Sequence, residues 1–405
     1  MNNRGKLDQS LPRLAYIGDV PVEASYHGSL LLHRLLERYP PTRLVILESA
    51  AAPSEASRRI PHVRYAELPS GLRRLVNTRF HQVVSMWLSL RAGNRDRLVR
   101  EALLEFEPEG ILTVAHGHSW ITAATYARRG DIPLHLIVHD DWPHMAGLGP
   151  SGTRWLERKF GAIYRGATSR LCVSAGMVEA FERDYGAGGT LLLPQRSATS
   201  PGFDEPPARL ATPGDSLVFA FGGTINSHSC AQALRTLSKV LLPLGGRIFL
   251  YGPISVDAAT KAGLLQKNIV LKGLVPPNDF VQRLRAEADV LFLPVSFDPK
   301  EESNTRLAFP SKLTEYTASG LPILIHAPQY ASASLWAREH DGAAATVGSE
   351  AEEALRAEVC RLVGDTEYRL DLGRRALAAG SRCFSYESAM EIFVSSIRGN
   401  WGFLD

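Results

Sequence analysis

The chain has 405 residues, 45% apolar and 21% charged, with a formal net charge of +3. That length is too great for one core and fits two domains of about 200 residues each, and the composition is that of an ordinary globular protein. No run reaches the ~18 consecutive apolar residues of a membrane span. The N-terminus MNNRGKLDQSLPR lacks the apolar segment of a secretory signal. Cys172, Cys230, Cys360 and Cys383 show neither CxxC nor zinc-ligand spacing, which points to reduced thiols in a cytoplasmic protein.

Residues 14–17 read as a first strand closing in Gly18-Asp19. A loop then leads to Gly28 and a helix with Leu31, Leu32, Leu35 and Leu36 on one face, and 43–48 read as the next strand. This opening suggests a doubly wound domain, although the loop lacks the GxGxxG fingerprint. Helical periodicity marks 71–90 and 95–106. Between Arg58 and Arg100 ten arginines stand against only Glu67 and Asp96. Within 72–90, Leu72, Leu75, Val76, Val83, Met86, Trp87 and Leu90 recur at helical spacing, interleaved by Arg73, Arg74 and Arg79. Two readings stay open: a core-facing helix with a solvated basic face, or a surface that docks on anionic lipid or a phosphorylated carrier.

The strand predicted at 110–114 ends in AHGHSW and feeds a helix over 121–129; the one at 134–138 ends in HDDWPH. Ligands bind outside the carboxyl ends of strands in open α/β sheets, so His116, His118 and His139 are expected to face one crevice. A strand-end histidine there either donates to a hydroxyl or a developing oxyanion, or packs as a cap. His139 and His144 with Asp140 and Asp141 have the chemistry for zinc or manganese. Pro143 is expected to prevent the helix that would align them, and no metal is expected. Strands over 171–173 and 190–193 complete the first half. Residues 195–215, rich in Pro, Gly, Ser and Thr, read as a linker.

The alternation then restarts: strand 217–221, Gly222-Gly223-Thr224, helix 230–242, strand 247–251 with Gly252, strand 269–271 with Gly273-Leu274-Val275, helix 279–286 and strand 290–293. The segment 309–326 follows. Pro310 suits a first helical position; Leu313, Tyr316 and Thr317 share one face; Gly320 supplies the helix stop and Pro322 forbids continuation. Residues 323–325 read as a buried parallel strand. Glu315 lies one turn inside that helix, whose free N–H groups make it a natural anion site. Helices over 350–362, 367–378 and 386–397 end the chain.

The pattern Pro-x-Lys-x-x-Glu-Tyr-x-Ala-x-Gly-x-Pro at 310–322, the run Ala288–Pro294 and the glycines after the first two strands of the second half resemble GT-B glycosyltransferases, especially the retaining family four. The resemblance covers 216–393 well and the first half loosely. It implies an α/β GT-B fold of two Rossmann-like domains facing a central cleft, at 1–205 and 206–385, with a C-terminal helix at 386–405 free to cross back. It implies transfer of a sugar from a nucleoside-diphosphate sugar to a glycan, lipid-linked or small-molecule acceptor, with retention and with no metal, other cofactor or nucleic acid. On that resemblance Glu315 holds the donor ribose, and the helix start at Ser311, Lys312 and Leu313 holds the diphosphate. Gly223, Thr224 and Asn226 approach the diphosphate too, Leu274 and Val275 meet the base through their backbone, and Gly28 leaves room for donor phosphate or acceptor. His116 stands at the sugar's reacting face and Lys312 is the catalytic cation. Arg73, Arg74 and Arg79 are expected to touch an anionic membrane face.

Two departures mark the chain. No Arg or Lys follows the Gly222-Gly223 turn before Arg235, so Lys312, Arg306 or Lys300 is expected to replace the family's basic clamp. Leu307 stands where the family has a second glutamate. Glu301 and Glu302 either fold back over the sugar or belong to a solvated, mobile loop. These departures leave open a catalytically silent donor-binding or scaffold subunit, and a nucleotide-sugar epimerase or hydrolase.

Overall fold

The computed structural model describes residues 11–25, 27–50, 53–69, 78, 80–211, 216–225 and 227–398. The chain divides into two compact units, Met1–Gln195 with Tyr386–Asp405, and Arg196–Ser385.

Among the described residues, the first unit holds one parallel sheet of seven strands: β1 (Leu14–Gly18), β2 (Leu44–Ser49), β3 (Arg64–Leu68), β4 (Gly110–Val114), β5 (Leu134–Val138), β6 (Ser169–Cys172) and β7 (Thr190–Leu191). Their order is 3-2-1-4-5-6-7. β1, β2, β4 and β5 are buried at every position, as continuous apolar runs covered on both faces should be. β3 was not predicted, because its sequence RYAEL has no apolar run; it forms the half-exposed edge. The helices are α1 (His27–Leu36), α2 (His81–Ala92), α3 (Asp96–Leu103), α4 (Ser119–Gly130), α5 (Trp142–Met145), α6 (Gly149–Gly166) and α7 (Ala175–Tyr185). The short helix α5 starts only at Trp142, so no helix carries both His139 and His144, and Pro143 stands where a helix tolerates it. It sits in the first turn of α5, where its missing N–H is no loss.

The second unit repeats the plan with β8 (Val218–Gly222), β9 (Arg247–Tyr251), β10 (Ile269–Gly273), β11 (Val290–Pro294), β12 (Ile323–His326) and β13 (Ala345–Val347), all parallel, in the order 10-9-8-11-12-13. Its helices are α8 (His228–Leu241), α9 (Val256–Lys261), α10 (Pro277–Glu287), α11 (Glu302–Leu307), α12 (Lys312–Ser319), α13 (Ser332–Glu339), α14 (Glu352–Gly364) and α15 (Thr366–Cys383). The Pro- and Ser-rich stretch after Gln195 packs on this unit. Arg209 pairs with Asp289 at 2.6 Å, and Arg285 lies over the Phe203 ring at 3.7 Å. The last helix, α16 (Tyr386–Arg398), belongs to the first unit, burying Ala389, Phe393 and Ile397 in the core that Leu32, Leu35 and Leu36 of α1 share.

Candidate active site

Each sheet reverses its strand order once, between β1 and β4 in the first unit and between β8 and β11 in the second. Ligands of doubly wound sheets bind outside the carboxyl ends of the strands at that point. Both places carry the residues singled out in the sequence, and each is described within its own unit.

In the second unit, β8 ends in Gly222-Gly223. The Gly222 N–H donates to the Tyr316 hydroxyl of α12 (2.8 Å), which in turn donates to the Phe292 carbonyl of β11 (3.3 Å). These two bonds tie α12 to the end of the sheet. Gly223, at φ +128°, donates its N–H to the Tyr251 carbonyl (2.8 Å). A β-carbon on it would lie 2.5 Å from Lys312 Cε, so only glycine lets the lysine lie across the turn. The Gly252 N–H donates to the Gly273 carbonyl (2.9 Å). The loops after β8, β9 and β10 therefore lean on one another, and exposed Leu274 and half-buried Val275 follow directly. Thr224 is half-buried beside Gly223, and Asn226 lies outside the described residues.

Lys312 opens α12, and no side chain caps that helix. Ser311 contributes its carbonyl, accepting from the Thr314 N–H (3.1 Å) and the Thr314 hydroxyl (2.7 Å). The side chain of Leu313 is fully buried, and its N–H is taken by the Pro310 carbonyl (3.1 Å). The Lys312 ammonium lies 5.3 Å over the Phe221 ring. Among the described residues no carboxylate stands within ion-pair distance of it. Burial pulls its pKa below the ordinary lysine value, with Cys230 and Glu315 pulling the other way. Cys230 sits in the first turn of α8, which Ser227 caps by accepting its N–H (3.1 Å). Burial pushes the Cys230 thiol up to about 11, against the Lys312 charge. Two helix starts and a lysine with no ion-pair partner among the described residues thus surround the glycine turn, an arrangement that suits an anion. Glu315 is half-buried one turn further in, with Oε2 2.5 Å from the Thr314 hydroxyl.

The other candidate cations are placed differently. Arg306 is engaged by Glu302 (2.8 Å) and lies 4.6 Å over the Tyr330 ring. Lys300 is exposed in a short turn closed by Asp298. The segment expected as a solvated, mobile loop is regular structure: α11 buries Thr305 and Leu307. The stretch reads as a loop because its buried residues number only two, two positions apart. Leu307 is a core residue, and Glu301 is exposed.

In the first unit, Asp19 follows β1 and sits at the start of α4. Its carboxylate accepts from the His118 N–H (2.5 Å), the Ser119 N–H (2.6 Å) and the Ser119 hydroxyl (2.9 Å). The loop holding His116 is thereby fixed, and the anion site at this helix start is filled by the protein's own carboxylate. His116 packs on Trp142 with ring centroids 4.2 Å apart, and its Nδ1 lies 3.8 Å from Asp140 Oδ2. Burial pulls its pKa below the ordinary value while Asp140 and Asp19 oppose. The Ser89 hydroxyl donates to the Ser85 carbonyl (2.8 Å), so His118 Nδ1 is the donor in its 2.9 Å contact with Ser89. His139 lies 3.3 Å from where a Gly28 β-carbon would be, so the space that glycine opens is taken by the imidazole. His144 turns to Asp141 (2.8 Å) and Glu157 (3.4 Å). Among the described residues no group of three His, Cys, Asp or Glu side chains is placed to hold a metal. Sequence reading missed Asp19 and the stacking role of Trp142; an acid directly after the first strand at the reversal point was the available signal for the former. Arg73, Arg74 and Arg79 lie outside the described residues.

No protein-family model matches the chain, and no curated protein sequence matches it. Solved structures do. Sucrose-phosphate synthase from Thermosynechococcus elongatus is 13% identical with a TM-score of 0.66, over 94% of this chain and 96% of that one. HepE from Anabaena, in complex with UDP and glucose, is 14% identical with a TM-score of 0.66, over 95% and 99%. A UDP-forming α,α-trehalose-phosphate synthase from Burkholderia vietnamiensis is 13% identical with a TM-score of 0.61, over 95% and 99%. At such identities the likeness is one of fold. With two parallel sheets in Rossmann order and these neighbours along nearly its whole length, the chain has the GT-B fold of glycosyltransferases.

Proposed function

We propose that this protein is a glycosyltransferase that moves a sugar from a nucleoside-diphosphate donor to an acceptor, with retention and without a metal. The observation that carries the reading is Lys312: a cation with no carboxylate partner among the described residues, laid across Gly223 at the start of α12, one turn from Glu315. As the bond from the sugar's anomeric carbon to the phosphate oxygen breaks, its electron pair goes to the diphosphate. Lys312 and the helix starts stabilise that charge. Glu315 accepts from the ribose hydroxyls. His116 is assigned to the sugar's reacting face; the acceptor oxygen bonds to the anomeric carbon, and the proton of its hydroxyl passes to the departing phosphate oxygen. HepE, a neighbour in fold, is described in complex with UDP-glucose, which supports a nucleotide-sugar donor.

A thermal-shift panel of UDP, GDP, ADP and TDP tests this, because a ligand that binds only the native state stabilises it. At least one nucleotide is expected to raise Tm, and Lys312→Met to abolish turnover in EDTA-treated protein. No shift with any of the four would overturn the donor-site reading. Buried Leu307 and the engaged Arg306 favour one rival, a subunit that binds donor without transferring it. Product analysis with labelled donor separates the two. No helix among the described residues is long and apolar enough to cross a membrane. The outward face of α2 supports peripheral docking on an anionic surface from the cytoplasmic side, argued with its element below.

A further inference from the structure

Arg196 is the first residue of the second unit. Its Nε donates to the Thr314 carbonyl (3.1 Å) and its Nη2 to the Thr317 hydroxyl (3.0 Å), residues that bracket Glu315 on α12. Its backbone N–H donates to the Phe384 carbonyl (3.0 Å). The preceding residue, Gln195, is buried and fixed as well: its Nε2 donates to the Leu31 carbonyl, and its own carbonyl accepts from Arg34, both at 3.0 Å. α15 makes room for the guanidinium. A β-carbon on Gly380 would lie 2.3 Å from Arg196 Nη2 and 2.2 Å from Thr317 Oγ1.

We propose that Arg196 is a positioning residue of the donor site, setting the roll of α12 so that Glu315 points at the nucleotide. The inference rests on the donor-site reading above. α12 has only eight residues and no side-chain cap; Tyr316 ties it to the end of the sheet, and Arg196 supplies a second hold at Thr314 and Thr317. A guanidinium offers donors in a rigid fork, and two of them engage two successive turns of the helix at once. A packing role alone would not favour a half-buried charge, whose partial desolvation is costly. Here burial pulls the Arg196 pKa down to about 10, while the charge of Glu315 supports the cation. The arginine and the glutamate it orients are therefore electrostatically linked.

A double-mutant cycle tests the assignment. The probe is whichever of UDP, GDP, ADP and TDP most stabilises the wild type, and its affinity is measured by calorimetry for Arg196→Met and Thr317→Val, each in the wild-type and Glu315→Gln backgrounds. Arg196→Met should weaken binding about tenfold and Thr317→Val, which removes one acceptor, about threefold; in the Glu315→Gln background each change should fall below about twofold. Arg196→Lys, which keeps the charge and one donor direction, should restore part of the loss. Equal losses in both backgrounds mean a merely structural arginine and overturn the proposal, as does unchanged affinity. Should Arg196→Met fail to fold, the Thr317→Val arm decides alone. A wild type that binds none of the four nucleotides overturns the donor-site reading along with this one, and is told apart because no variant is then at issue.

Discussion

Glu315 is held by its neighbours before any ligand arrives: Thr314 lies at its carboxylate and Arg196 braces the residues on either side. A charge-assisted hydrogen bond to a ribose hydroxyl is worth roughly 1.5–3 kcal/mol. Glu315→Ala should therefore weaken nucleotide binding about ten- to over a hundredfold with the fold intact, and unchanged affinity by calorimetry would remove the ribose role. His116 faces a different test. Its proposed partner is the reacting sugar, so His116→Ala should lower turnover of bound donor more than it lowers donor affinity; the reverse pattern would end the catalytic assignment. The placement of these two residues was legible, since a glutamate one turn into a helix between two strands, and histidines after strands, are signals of position. Asp19 and Arg196 were not. Each acts by reaching across a gap of about 100 residues or more to a helix whose place the sequence alone does not give.

At the scale of elements, α12 and β12 end and begin where Gly320 and Pro322 predict, with Gly320 in the left-handed region at φ +67°, although α12 opens at Lys312, two residues after Pro310. α2 shows why other elements were harder to read. Its buried face is Val84, Ser85, Leu88, Ser89 and Ala92, a mostly small-residue face that packs closely on α4, with the Ala92 carbonyl accepting from Thr122 (2.8 Å). Other large apolar residues turn outward: Val83 is 72% exposed, Leu90 53% and the preceding Phe80 49%. Trp87 is half-buried with Arg91 4.5 Å over its ring. An apolar stripe, taken by its period, reads as a core face; of its described members here, Val83 and Leu90 are exposed and Met86 and Trp87 half-buried, while Leu72, Leu75 and Val76 lie outside the described residues. Several arginines nearby are already engaged, Arg97 by Glu101 (3.0 Å) and Arg129 by Asp96. The stripe fits the headgroup boundary of a membrane, with each free arginine adding about 1 kcal/mol on anionic lipid. The protein should sediment with anionic but not neutral vesicles, less so at high salt. Val83→Ser with Leu90→Ser, and separately Arg73, Arg74 and Arg79 to Ser, should each reduce recovery. Equal recovery with both vesicle types leaves a solvated helix.

Across the whole molecule, the two units repeat one strand order but differ in what their cores hold. Each has its own hydrophobic core, so each can melt as a unit. The first unit concentrates histidines whose charged form burial disfavours: His33, His116, His118, His135 and His139 all have lowered pKa values, with burial the leading cause, and in His135 and His139 the value falls to about 4. In the second unit His326 alone among the described histidines is lowered. His135 is 1% exposed, with Nδ1 2.9 Å from the Ser169 hydroxyl and Nε2 without a partner, so it has no route to a compensated charge. A histidine whose folded pKa is depressed gives its full contribution above the unfolded value of about 6.5, and that contribution is lost as pH falls from there toward about 4. The loss is about 1.4 kcal/mol per pH unit, or about 2 kcal/mol for His135 at pH 5. His144 opposes it, since Asp141 and Glu157 raise its pKa and favour the native state on the acid side. One against five, it cannot reverse the sign. Calorimetry at pH 7.5 and pH 5 should therefore show the transition of the first unit falling in temperature ahead of that of the second. A His135→Gln variant should be less stable at pH 7.5 but lose less on acidification. If both transitions fall together in the wild type, or the second unit leads, the buried histidines do not set the acid limit of this protein.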